Sequence, residues 1–156
     1  MTYQQVRDVI ERICYAQRRL RLSLEQPDAW ITDERTRLIF HTLEEEEQSL
    51  QEALARFGAE GEPKVLDTWI QFVADEQLDN SLDSIEFDPG MSADEVVAEK
   101  QKFDQALAEL LEQLKNSVTL PRVEELFSSL LQHVETRSSQ QAWQIREYQD
   151  HSEPPH

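Results

Sequence analysis

Apolar residues recur every three or four positions through four stretches of about 25 residues each, which commits most of this chain to amphipathic helix. The first stripe is Val6, Ile10, Ile13, Gln17, Leu20 and Leu24, and the second Ile39, Leu43, Glu46, Leu50, Leu54 and Phe57. The third is Val96, Phe103, Leu107, Leu110 and Leu114; the fourth runs from Val123 through Phe127, Leu130, Leu131 and Val134 to Ala142 and Ile145. Helix-starting and helix-stopping residues bracket the stripes. Thr2-Tyr3-Gln4-Gln5 and Ser92-Ala93-Asp94-Glu95 have capping-box spacing, and Thr32-Asp33-Glu34 offers a capping hydroxyl with acids behind it. Pro27 and Gly58 read as stops, and Pro121 suits a first helical turn. The spacing predicts helices over residues 3–25, 33–57, 92–116 and 121–148.

Residues 58–91 follow a different rule. Val65 to Val73 reads as a short helix or helical turn lying on the bundle, followed by Asp75, Glu76, Asp79, Asp83, Glu86 and Asp88 with no basic residue among them. A connection of this length is too long for a hairpin and suits a crossover between parallel neighbours. The architecture implied is all-α: one domain over 1–149, a four-helix bundle with one long crossover containing a short helix. Three glycines in 156 residues leave too few tight turns for a β-rich alternative. Residues 150–156 carry no apolar pattern and are expected to form a disordered tail.

The net charge is −17, which argues against nucleic acid and anionic membrane as partners, since both are polyanions. The N-terminus lacks a signal-peptide pattern and no apolar run reaches membrane-spanning length. With a single cysteine, Cys14, beside the first stripe and no internal disulfide, a cytoplasmic setting is the expectation. The charge is uneven. Five arginines face only Asp8 and Glu11 between residues 3 and 24, a local charge of +3. Two readings fit that basic helix: a docking face for an acidic partner, or pairing with the Glu44–Glu47 run on the next helix. The acidic crossover is left without an evident partner.

Glu46 falls on the second apolar stripe between Leu43 and Leu50. A carboxylate there costs several kcal/mol unless paired, protonated or bound to metal. It is either a metal ligand or proton carrier in the core, or a group rotated toward solvent or met by an arginine of the first helix. His41 lies three and four residues before Glu44 and Glu45, the spacing of an ordinary surface ion pair. Asp79 to Gly90 does not close as a calcium loop, since its last residue is wrong. Trp30, Trp69 and Trp143 read as anchors for the loop, the crossover and the last helix.

The layout of two helical hairpins and a long crossover resembles the ferritin-like superfamily, and the hairpins are most similar to rubrerythrin-type domains. The stretch from Thr36 to Glu47 resembles that family's second helix, and Val123 to Glu135 its fourth. Such a resemblance implies a di-iron centre built from Glu-x-x-His on the second and fourth helices and one Glu on each of the others. Here Glu46 and Glu47 are followed three residues on by Ser49 and Leu50, and Glu135 by Ser138. The first helix offers only Glu11, on the flank, and the third Glu99 and Asp104, neither squarely inward.

The expectation is therefore a non-catalytic binding or regulatory protein that has lost most di-iron ligands and holds no cofactor. The alternative is a redox or metal-handling protein whose altered site takes iron or manganese through Glu46, Glu99, His133 and Glu135. A homodimer is also expected, because the Phe127, Leu130, Leu131 and Val134 stripe looks wider than one bundle can bury.

Overall fold

The computed structural model describes residues 2–25, 31, 33–72, 76–88 and 90–152, with the side chains of Thr2, 57–60, Phe72, Glu76 and 142–152 outside the description. In chain order the elements are β1 (Thr2–Gln5), α1 (Val6–Leu24), α2 (Glu34–Glu60), α3 (Pro63–Leu66), β2 (Trp69–Phe72), α4 (Glu76–Ser84), α5 (Ala93–Ser117) and α6 (Pro121–Ser152). Six helices thus dominate the described residues, and the sheet they contain has two strands.

The long helices bury their apolar stripes at the described positions, with Glu46 of α2 the exception; the side chains of Phe57, Ala142 and Ile145 lie outside the described residues. On α1 the buried positions are Val6, Val9, Ile10, Ile13, Ala16, Gln17, Leu20 and Leu24, a continuous face at helical period. α1 packs on α2 and α5 packs on α6, while α2 meets α5 between the two hairpins. α4 lies against both α1 and α5, seated by the buried Leu78. Phe40 of α2 meets Phe87 edge to face, with ring centroids 5.6 Å apart, which pins the chain leading into α5.

Helix starts follow local chemistry. Ser92 Oγ accepts from the Glu95 N–H at 3.2 Å while Glu95 Oε1 accepts from the Ser92 N–H at 3.4 Å, so this capping box is formed. At α2 the cap is the Asp33 carboxylate, which accepts from the Thr36 hydroxyl at 2.7 Å. That bond, with backbone N–H groups of Arg35 and Thr36, holds the Asp33 carboxyl below its ordinary range. Thr32, the expected capping hydroxyl, lies outside the described residues, as do Trp30 and residues 153–156 of the expected tail, whereas residues 150–152 continue α6 instead of leaving the helix.

Three elements depart from the sequence reading. Thr2 to Gln5 is a strand rather than the first turn of a helix, and α1 begins at Val6 with the Gln5 N–H donating to Asp8 Oδ2 at 3.3 Å. The Val65–Val73 segment is not one helix: α3 ends at Leu66, and Trp69–Phe72 forms β2. β1 and β2 are antiparallel, with Thr2 opposite Phe72, Tyr3 opposite Gln71, Gln4 opposite Ile70 and Gln5 opposite Trp69. Ile70 is 7% exposed whereas Trp69 is 64% exposed, the alternation of a half-buried strand. Trp69 is therefore not a buried anchor for this connection. α2 also runs through Gly58 to Glu60, and no described glycine has positive φ, so Gly58 does not act as a stop.

The fourth stripe is consumed within the chain. Phe127, Leu130, Leu131 and Val134 are all buried against the shared core, so the surplus apolar face invoked for a homodimer does not exist there. No helix among the described residues is long and apolar enough to cross a membrane.

Candidate functional site

Besides Thr36, five buried polar side chains interrupt the apolar core among the described residues, and all four long helices contribute. They are Gln17 from α1, Glu47 from α2, Lys100 and Asp104 from α5, and Gln141 from α6, all buried. Their positions follow from helical period. Glu47 is seven residues after Phe40, and Lys100 and Asp104 are one turn apart on the face that also buries Val96, Phe103 and Leu107.

Lys100 is the centre of this cluster. Its ammonium donates to Asp104 Oδ2 at 2.6 Å and to Gln141 Oε1 at 2.8 Å. Glu47 Oε1 stands 2.7 Å away as an ion pair, attracted by charge without an aligned hydrogen bond. Three partners from three helices therefore surround a group with three donor hydrogens. Gln17 secures Glu47 from the other side: its Nε2 donates to the Glu47 backbone carbonyl and, at 3.0 Å, to Glu47 Oε2. The Gln141 amide in turn donates to Glu46 Oε2.

The electrostatics are uneven. Two buried carboxylates share one ammonium. Burial is the main influence on Asp104, pushing its carboxyl up to about 6, and the Glu47 charge pushes the same way. Lys100 and, more weakly, Arg137 oppose that rise. His133, though largely exposed, is held below its ordinary value by partial desolvation of its ring and by Arg137, against the pull of Glu47. A buried pair of this kind breaks even at best against apolar packing, but removing one partner strands the other at a cost of about 3–5 kcal/mol.

The inward carboxylate of α2 is thus Glu47, fully buried, and Glu46 is only partly buried. The one-residue correction follows from the packed face of α2, which runs Thr36, Ile39, Phe40, Leu43, Glu47, Leu50 and Leu54. Of the four residues named for a metal, Glu46 reaches Gln141 at the edge of the cluster. Glu99 is partly buried away from the cluster, accepting from Lys102 Nζ at 2.8 Å and from the Glu86 N–H at 3.2 Å. His133 and Glu135 are exposed on α6. Among the described residues, no group of three or more His, Cys, Asp or Glu side chains is placed to hold a metal ion. The core cluster does not suit an iron pair either: it contains no histidine, and the carboxylates that would serve as ligands already hold an ammonium.

Three of the five arginines of α1 meet acids of the crossover. Arg7 pairs with Asp67 at 2.8 Å, Arg12 with Asp79 at 3.6 Å and Arg19 with Asp83 at 2.7 Å. Arg21 donates to Gln51 at 2.8 Å and to Glu25 at 3.1 Å. Because α4 packs along α1, its acids at 79 and 83 fall one turn apart beside the arginines. Much of the crossover's acidity is thereby matched. Cys14 is half-buried against the core, and burial raises its thiol further from reactivity at neutral pH.

Gln17 is visible in the sequence as a polar residue on an apolar stripe. Lys100 is equally legible, since 96, 100, 103 and 107 step by four, three and four. Gln141, seven residues after Val134, carries the same signal. What the spacing does not show is that these residues meet. Compared with family models, with curated proteins and with solved structures, the chain matches none.

Proposed function

We propose that this chain is a non-catalytic binding or regulatory protein on a ferritin-like four-helix bundle, α1, α2, α5 and α6, in which a lysine stands where the family layout would place metal. The observation that supports this reading is the Lys100 ammonium, held by Glu47, Asp104 and Gln141 at the level where all four long helices converge. An internal cation offsets the buried carboxylates permanently, independent of metal supply, and makes their charge a structural element. The site has no nucleophile poised beside a base and no histidine among its buried members.

Elemental analysis of the purified protein, joined to a thermal melt with and without a chelator, tests the proposal. The expected result is no stoichiometric iron or manganese and an unchanged melting temperature. Stoichiometric metal, with a melting temperature that falls on stripping, would replace this reading with the redox or metal-handling one.

A further inference from the structure

α1 carries a second stripe on the side away from the core. Asp8, Glu11, Tyr15, Arg18, Leu22 and Glu25 step by three, four, three, four and three, the spacing of a heptad seam, and all are exposed. Tyr15 is 69% and Leu22 48% exposed, large side chains with apolar bodies that the core leaves in solvent. The polar members at the middle of the stripe have no partners within the chain. Arg7, Arg12 and Arg19 are engaged by Asp67, Asp79 and Asp83, and Arg21 by Gln51 and Glu25. Glu11, Tyr15 and Arg18 make no hydrogen bond or ion pair among the described residues. A carboxylate, a phenol and a guanidinium are chemically complementary, but Glu11 and Arg18 stand about 10 Å apart along the helix they share.

A second copy supplies what one lacks. When two such helices pack antiparallel about a two-fold axis, residues whose numbers sum to a constant come level. With the axis at the level of residue 13, Asp8 falls opposite Arg18 of the partner subunit, and Glu11 opposite Tyr15 of the partner subunit. The symmetry makes each contact twice, and each joins an a position to a d position of the heptad. Sliding the pair by one heptad in one direction sets Asp8 against Glu25; sliding it in the other sets Asp8 against Glu11. Charge therefore selects a single register. Electrostatics also favours meeting on this side. At −17 per chain, two copies repel through most of their surface, whereas residues 3–24 carry +3 and face Asp67, Asp79 and Asp83, which leaves this side close to neutral.

We infer that the exposed stripe of α1 is a self-association surface on which two copies of this chain pair antiparallel, through Asp8–Arg18 and Glu11–Tyr15 contacts across the two-fold. The guanidinium meets a carboxylate, and the Tyr15 hydroxyl donates to the Glu11 carboxylate. Leu22 of each copy is covered at the β1 end of the other, where Tyr3 is exposed. The dimer is independent of the metal question, since no residue of the core cluster takes part in it.

Sedimentation equilibrium of the full chain, over a concentration series up to about 0.5 mM, tests this. A reversible monomer–dimer equilibrium is expected, weakened when sodium chloride rises from 0.1 M to 1 M. Arg18→Asp and Asp8→Arg each set like charges opposite one another twice, and each should raise the dissociation constant at least tenfold with an unchanged circular dichroism spectrum. Mixed in equal amounts, the two variants should form a heterodimer at least fivefold tighter than either homodimer, because every 8–18 pair is then opposite in sign. If Asp8→Arg does not fold, for want of the acceptor that Asp8 gives the Gln5 N–H, Tyr15→Glu takes its place. Set against Glu11, it should weaken the dimer at least tenfold. A chain that stays monomeric throughout the series would overturn the inference and leave the stripe to a partner of different sequence. So would wild-type dimerisation by folded Arg18→Asp or folded Tyr15→Glu, or a mixture no tighter than its components.

Discussion

Lys100 of α5 and Glu47 of α2 face each other at 2.7 Å inside the core, each side chain only 1% exposed. No other ion pair between described residues links these two hairpins at such depth, and it makes the protein sensitive to the balance of charge rather than to the pair alone. Deleting the cation strands two carboxylates. Lys100→Met should lower unfolding free energy by about 3–5 kcal/mol in urea titration. Lys100→Met combined with Glu47→Leu and Asp104→Leu should recover most of that loss. A triple variant no better than Lys100→Met would show that the network contributes more than charge compensation.

The assignment of Glu47 as the buried carboxylate predicts a contrast between neighbours. Glu47→Leu should cost several kcal/mol, since Lys100 then keeps one carboxylate and Gln17 loses an acceptor. Glu46→Leu removes only the acceptor for the Gln141 amide at a partly solvated position, and should cost about 1 kcal/mol or less. Equal losses for the two variants would contradict the rotation of α2 described above.

Asp104 sets a pH dependence whose sign is opposite to that of an ordinary salt-bridged carboxylate. Its folded value of about 6 lies above the ordinary 3.8, so between those limits the folded state holds more of the proton than the unfolded chain does. The Asp104 contribution is therefore greatest below about pH 4, declines as pH rises through 6, and is constant above that. Measured against Asp104→Asn, wild-type stability should fall by about 2–3 kcal/mol from pH 4 to pH 7, following about 1.4 kcal/mol per unit. Carboxyl carbon NMR of Asp104 should show a midpoint near 6.

The β1–β2 ribbon makes two adjacent residues unequal. Ile70→Ala should destabilise by about 2–3 kcal/mol because its side chain is in the core, whereas Trp69→Ala, mostly exposed, should change stability by less than about 0.5 kcal/mol. Denaturant midpoints at constant slope would settle the comparison.

The arginine–aspartate contacts between α1 and α4 are exposed, and their coupling should be small. A double-mutant cycle of Arg19→Gln and Asp83→Asn should give less than about 1 kcal/mol at low salt and close to zero in 1 M sodium chloride.

The amino-acid pattern alone determined the helical class and the faces that the four long helices bury, because a stripe at helical period expresses its own preference for burial. The Ser92–Glu95 cap was equally local, needing only residues three apart. Tertiary structure decided the rest. Thr2–Gln5 carries a plausible helix start, yet it becomes a strand because Trp69–Phe72, nearly seventy residues away, supplies its hydrogen-bonding partner. The arginines of α1 find Asp67, Asp79 and Asp83 only once α3 and α4 fold back along that helix, so sequence neighbours misdirected their pairing. Gln17, Glu47, Lys100, Asp104 and Gln141 each show as a polar break in an apolar stripe. That they form one network depends on the axial alignment of four helices. A periodic pattern sets which face turns inward but not which residues on different helices come level, and that register determines the chemistry of the core.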